Sequence, residues 1–124
     1  MSSTFQFSNN SITVKELPHN IEAEQGLLGA ILLNNEIYYD IIEIINIEHF
    51  YEPVHRTIFD VINKLISKGQ IATPITLKSY FEVERNLEEI GGSNYLARLA
   101  NSTVSLDYAK NYAYIIYDLA VRRG

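Results

Sequence analysis

The run Ile21–Leu33, IEAEQGLLGAILL, constrains the fold more than any other part of the sequence. Apolar residues fall at Ile21, Leu27, Leu28, Ile31 and Leu32, with Ala23 and Ala30 between them, and no polar side chain follows Gln25 before Asn34. A helix that is polar only in its first turn and apolar on every side thereafter must be enclosed by neighbours, so this segment is expected to be the central helix of the core. Gly26 and Gly29 share one face of it. Each costs about 1 kcal/mol of helix propensity relative to alanine, a loss that makes sense where another helix crosses close against bare backbone.

The chain around this helix reads as further helices joined by short polar breaks. Residues 1–17 are rich in Ser, Thr and Asn without helical periodicity and read as an N-terminal arm, with Phe5 and Phe7 as its possible anchors. Asn20 suits an N-cap, and Glu22 and Glu24 lie in the first turn, where the helix dipole favours negative charge. Ile37, Ile41, Ile44 and Ile45 mark a helix over residues 36–46, their spacing deciding against the strand that an isoleucine-rich segment also suggests. Residues 47–51 form a turn that pushes Phe50 into the core. Pro53 at the first turn, the stripe Val54, Ile58, Phe59, Val61, Ile62, Leu65 and Ile66, and then Lys68 and Gly69 delimit the next helix.

Thr73 before Pro74 reads as the N-cap of a helix over residues 75–83. Gly91-Gly92 marks a turn, after which Ser93 is expected to cap a short helix over residues 94–100 that carries Tyr95, Leu96 and Leu99. Ser105 or Asp107 is expected to cap the last helix, which runs to about Arg123 and spans on the order of 27 Å. Leu106, Ala109, Ala113, Ile116 and Ala120 make one stripe on it, and Tyr108, Tyr112, Ile115 and Leu119 a second. One stripe suffices to dock this helix on the domain, so the second is expected to meet another helix or another subunit. The pattern is still running at Arg123, which suggests a piece of a longer protein.

Composition narrows the function classes. With 124 residues, 47% hydrophobic and 20% charged, the chain is expected to fold as one globular unit with a real core. The absence of cysteine removes disulfides, thiolate zinc sites and a thiol nucleophile together. No apolar run has the length of a membrane span, and no signal peptide pattern opens the chain, so a soluble cytoplasmic protein is expected. The net charge is −5, with ten Lys and Arg scattered among fifteen Asp and Glu, so direct nucleic-acid binding is not expected.

Catalytic and metal chemistry find little support in the residues. Glu22 and Glu24 resemble a carboxylate pair, but helix capping accounts for Glu22 and no partner suggests acid–base work. His19, His49 and His55 lack metal-ligand spacing, since His49 and His55 stand six residues apart. Neither a GxxxxGK[ST] phosphate loop nor a GxSxG element occurs. From the residues alone the chain is a compact all-α interaction module, without catalytic, cofactor or metal residues.

Several segments, in order, resemble the N-terminal domain of the bacterial replicative DNA helicase of the DnaB type. They are Pro18 with Ile21-Glu22-Ala23-Glu24 and Leu28-Gly29-Ala30-Ile31-Leu32; Phe50-Tyr51 with His55-Arg56 and Ile58-Phe59; and Gly69 with Thr76-Leu77. Leu87-Glu88-Glu89-Ile90-Gly91-Gly92 with Tyr95-Leu96 and Leu99-Ala100, then Tyr112-Ala113 with Ile115-Ile116 and Arg123, complete the set over residues 18–123. The sequence departs from that pattern at His49, where an acidic residue is usual, and at Thr73, near which an aspartate is usual; Thr73 can cap as an aspartate would.

The resemblance implies a helical head over residues 18–104 and the first helix of a helical hairpin over 105–124, leading to a helicase motor outside this chain. In that family such domains pair through their hairpins into a collar above a hexameric motor, and the motor carries the ATP and magnesium site and the DNA-translocating loops. The collar docks the C-terminal domain of primase, and loader proteins can act there. Carried over by position, Glu22 and Tyr95 become primase contacts, and the second stripe of the last helix, Tyr108, Tyr112, Ile115 and Leu119, would serve subunit pairing. The alternatives are the helicase-binding helical domain of a primase, against which the segments at Ile21 to Glu24 and Gly91 to Leu96 count, and a small helical DNA-binding module, which the acidic charge disfavours.

Overall fold

Six α-helices and three 3-10 turns make up the ordered elements of the computed structural model, which describes residues 17–103 and 105–124. The helices are α1 (Ile21–Leu33), α2 (Glu36–Ile41), α3 (Pro53–Ser67), α4 (Pro74–Glu84), α5 (Ser93–Asn101) and α6 (Ala109–Arg123). No strand occurs among the described residues, so the all-α class holds. The arm expected over residues 1–17 lies outside the described residues except for Leu17.

Helix α1 is the centre. Leu27, Leu28, Gly29, Ala30, Ile31 and Leu32 are buried in succession, which means burial around its whole circumference. Helices α5 and α6 cover it most extensively, α2 packs on both α1 and α6, and α4 closes over α3 and α5. The two glycines answer to two different neighbours rather than to one crossing helix. A β-carbon on Gly26 would stand 2.6 Å from the Tyr112 ring of α6, and one on Gly29 would overlap the Leu99 carbonyl oxygen and the Thr103 hydroxyl at the end of α5.

Local chemistry sets most of the boundaries. The Asn20 side chain accepts the Ala23 amide at 3.0 Å to start α1. At its end Asn35 turns back, donating to the carbonyls of Ile31 and Ala72 and accepting the Ala72 amide, each at 2.8 Å. That one side chain ties the α1–α2 break to the α3–α4 connection. Pro53 opens α3, and Gly69 at φ +76 closes it. Thr73 and Thr76 exchange hydrogen bonds between side chain and backbone in both directions, so Thr73 does cap α4.

Four expectations need correction. Helix α2 ends at Ile41 rather than continuing to residue 46, because 42–44 is a turn and His49 accepts the Asn46 amide at 3.0 Å to organise the following 3-10 turn, Ile47–His49. Phe50, immediately after it, is fully buried as expected. Ser93 is the first residue of α5 and makes no cap; Gly92, at φ +94, is the N-cap. The last helix is preceded by a 3-10 turn, Leu106–Tyr108, in which the Ser105 side chain accepts the Asp107 amide at 3.2 Å. Leu106 is 38% exposed, so the docking stripe consists of Ala109, Ala113 and Ile116, with Ala120 half-buried behind them.

Candidate functional site

The edge of α1 nearest its N-terminus, together with the facing side of α5, gathers the polar residues that the core leaves over. Glu22 projects from the first turn of α1 and is exposed. It borders a groove with Gln25, Gly26, Ser102, Thr103 and Tyr112. On the far side of Gln25 lies an open cleft of about 390 Å³, walled by the apolar side chains of Ile21, Val54 and Ile90 and bordered by Glu52, Tyr95 and Arg98. Gln25 thus stands between Glu22 and Tyr95, and donates to the Tyr95 hydroxyl at 3.1 Å. The Arg98 guanidinium lies 5.7 Å from the Tyr95 ring centroid, in range of the ring's quadrupole.

Beneath Tyr95 runs a buried polar chain that the pattern of residues did not lead us to expect. Glu24 and His55 are the two buried polar side chains among the described residues, 1% and 0% exposed. The Glu24 carboxylate accepts the backbone amides of Tyr51 at 2.7 Å and Glu52 at 3.3 Å. His55 meets it through Nδ1 at 2.7 Å and meets the Tyr95 hydroxyl through Nε2 at 2.6 Å. The two rings stack with a 6.0 Å centroid separation and 8° between their planes. Glu24 therefore does more than favour a helix dipole: it caps the backbone turn ahead of α3 from across the core. Its position one turn before Leu27 and Leu28, and that of His55 one turn before Ile58 and Phe59, was the available signal that each lies on a buried face and needs a partner.

The other histidines also have structural partners. His19 donates through Nδ1 to the Leu17 carbonyl at 2.7 Å and stacks on Tyr51. Arg123 covers the same tyrosine, at 5.4 Å, and donates to the carbonyls of Pro18 at 2.8 Å and His49 at 2.7 Å. No cluster of three His, Cys, Asp or Glu suited to a metal ion occurs among the described residues. No helix there is long and apolar enough to cross a membrane.

The second stripe of α6 divides. Tyr108 and Ile115 are 51% and 39% exposed, Leu119 is half-buried, and Tyr112 leans onto Gly26 and packs against the core. Tyr114, Tyr117 and Val121 extend the exposed apolar surface of this helix. Tyr112 consequently sits beside Glu22 rather than with the outward-facing residues.

The sequence pattern of the DnaB-like helicase N-terminal domain matches residues 16–118, nearly the whole of the helical body just described. The chain belongs to that family. The Replicative DNA helicase DnaB of Rickettsia typhi is 49% identical over 108 residues, which are 87% of this chain and 22% of that protein. The corresponding protein of Pasteurella multocida is 38% identical over 109 residues. The chain thus spans under a quarter of the length of these DnaB relatives. Among solved structures, the N-terminal domain of DnaB helicase from Mycobacterium tuberculosis superposes with a TM-score of 0.83 at 30% identity, covering 87% of this chain and 78% of that one. A DnaB-like replicative helicase described with its interactions with primase superposes with a TM-score of 0.74 at 29% identity, covering 84% of this chain and 24% of that one.

Proposed function

We propose that this chain is a non-catalytic assembly and docking domain of a replicative DNA helicase. Its head docks the C-terminal domain of primase along the edge that carries Glu22, Gln25 and Tyr95, and the outward face of α6 pairs it with other subunits into the collar of a hexamer. The observation that carries this reading is the open cleft beside Tyr95: apolar walls with a few convergent polar groups suit the side chains of a protein partner. The likeness to a helicase described with its interactions with primase supports the same partner. The exposed Tyr108, in the turn that leads into α6, and Ile115 on α6 support subunit pairing. A loader protein is a further partner of the same collar.

In this reading the chain holds no cofactor of its own. ATP and magnesium are bound by the motor of the full-length protein, and DNA is contacted there rather than by this acidic domain. The head over residues 18–104 is the docking unit, and 105–124 begins the hairpin. Calorimetric titration with the C-terminal domain of the same organism's primase tests the docking. Binding that a folded Tyr95→Ala variant weakens supports the site; the absence of binding by the wild-type chain counts against it.

A further inference from the structure

Two ionisable groups buried in so small a core require a reason, since an apolar pair of similar volume would avoid the cost of desolvating them. The hydrogen bonds suggest what the reason is. Glu24 already accepts two backbone amides, from Tyr51 and Glu52, and its carboxylate oxygens have only acceptor capacity left for His55. Nδ1 of His55 therefore donates, at 2.7 Å. In the neutral imidazole this leaves the lone pair on Nε2, which accepts the Tyr95 hydroxyl proton at 2.6 Å, while the hydroxyl oxygen accepts the Gln25 amide at 3.1 Å. In that neutral form every donor of the chain points one way, from the surface inward through Gln25, Tyr95, His55 and Glu24. The chain crosses from α1 to α5 to α3 and back to α1.

Its outer end is the Tyr95 ring, which borders the cleft with Arg98 against it. Tethering the hydroxyl inward fixes the direction of the ring and the roll of α5 over α1. We propose that Glu24 and His55 are positioning residues of the docking surface: they hold Tyr95, and through it Arg98, in the arrangement a primase domain recognises, while being only 1% and 0% exposed themselves. This inference rests on the docking reading given above.

Two conservative variants separate positioning from bulk stability. Tyr95→Phe keeps the ring and removes only the tether. His55→Asn keeps a donor near the position of Nδ1 for Glu24 and cannot reach Tyr95. Each folded variant is titrated with the primase C-terminal domain beside the wild type and the double variant. Each single substitution is expected to weaken binding roughly tenfold, about 1.4 kcal/mol, and the double variant no more than either alone, because both cut the same link. In parallel, 15N spectra of the imidazole in the wild-type chain are expected to report a single Nδ1–H tautomer, with the Nε2 signal shifting in Tyr95→Phe. Should His55→Asn not fold, Tyr95→Phe decides alone.

Wild-type affinity retained by folded Tyr95→Phe overturns the proposal while leaving the docking reading intact. So does a double variant whose loss equals the sum of the two singles, or an Nε2–H tautomer. No binding by the wild type overturns the docking reading and this proposal with it.

Discussion

Gly29 lies so close to the carbonyl of Leu99 that a β-carbon built on it would overlap the oxygen, with the Thr103 hydroxyl crowding the same space. This contact sets how near α5 comes to α1, and hence where the residues of α5 stand relative to Gln25. Backbone cannot swing aside as a side chain can. Gly29→Ala is therefore expected to destabilise the fold by about 2 kcal/mol or more, although alanine favours the helix by about 1 kcal/mol. Gly26→Ala meets the edge of the Tyr112 ring at 2.6 Å, which can tilt away, so its cost is expected to fall below about 1 kcal/mol. Urea unfolding of the two variants checks the order, and equal stabilities would refute it.

Asn35 satisfies both backbone groups of Ala72, a residue with no exposed surface, and the Ile31 carbonyl as well. Asn35→Ala leaves the two groups of Ala72 without those partners, and is expected to cost about 2–4 kcal/mol. The side chain of its neighbour Asn34 accepts, among the described residues, only the exposed Glu36 amide, at 3.0 Å. Asn34→Ala should cost less than about 1 kcal/mol. Thermal unfolding of both proteins distinguishes a tether between two connections from an ordinary polar turn.

Glu22 and Glu24 look alike in the sequence and differ entirely in the fold. Replacing Glu24 by Gln leaves one acceptor oxygen for three donors and turns an amide group toward one of them, so Glu24→Gln is expected to cost about 3 kcal/mol. Glu22→Gln, on an exposed side chain, should change stability by less than about 0.5 kcal/mol. A comparable loss in the two variants, measured by denaturant unfolding, would contradict the burial assigned to Glu24.

What could be read in advance was what neighbouring residues decide among themselves. Asn20, Pro53, Gly69 and Thr73 announce helix ends through bonds that span three or four positions, and α1 announces its centrality by having no polar face. The errors have the same origin. The end of α2 depends on His49 drawing in the Asn46 amide, and the start of α5 on a positive-φ glycine standing at the position a serine usually takes. The Glu24–His55 contact joins residues 31 apart, so only the inference that both lie on buried faces could have raised it. The family resemblance located Tyr95 by position and said nothing of what holds it.

The outward and inward residues of α6 should separate in experiment. Tyr112 covers Gly26 and packs on the core, so Tyr112→Ala opens a gap and is expected to cost about 2–4 kcal/mol of stability. Ile115 is 39% exposed on the outer face, where a charge meets water rather than core. Ile115→Lys should therefore shift stability by less than about 0.5 kcal/mol. If that face pairs subunits, the same lysine places a like charge on both sides of the symmetric contact and weakens association, which sedimentation of the full-length protein reads directly. A lysine variant that unfolds would mean that Ile115 belongs to the core. One that stays folded and assembles at wild-type concentrations would move the pairing surface elsewhere on the domain.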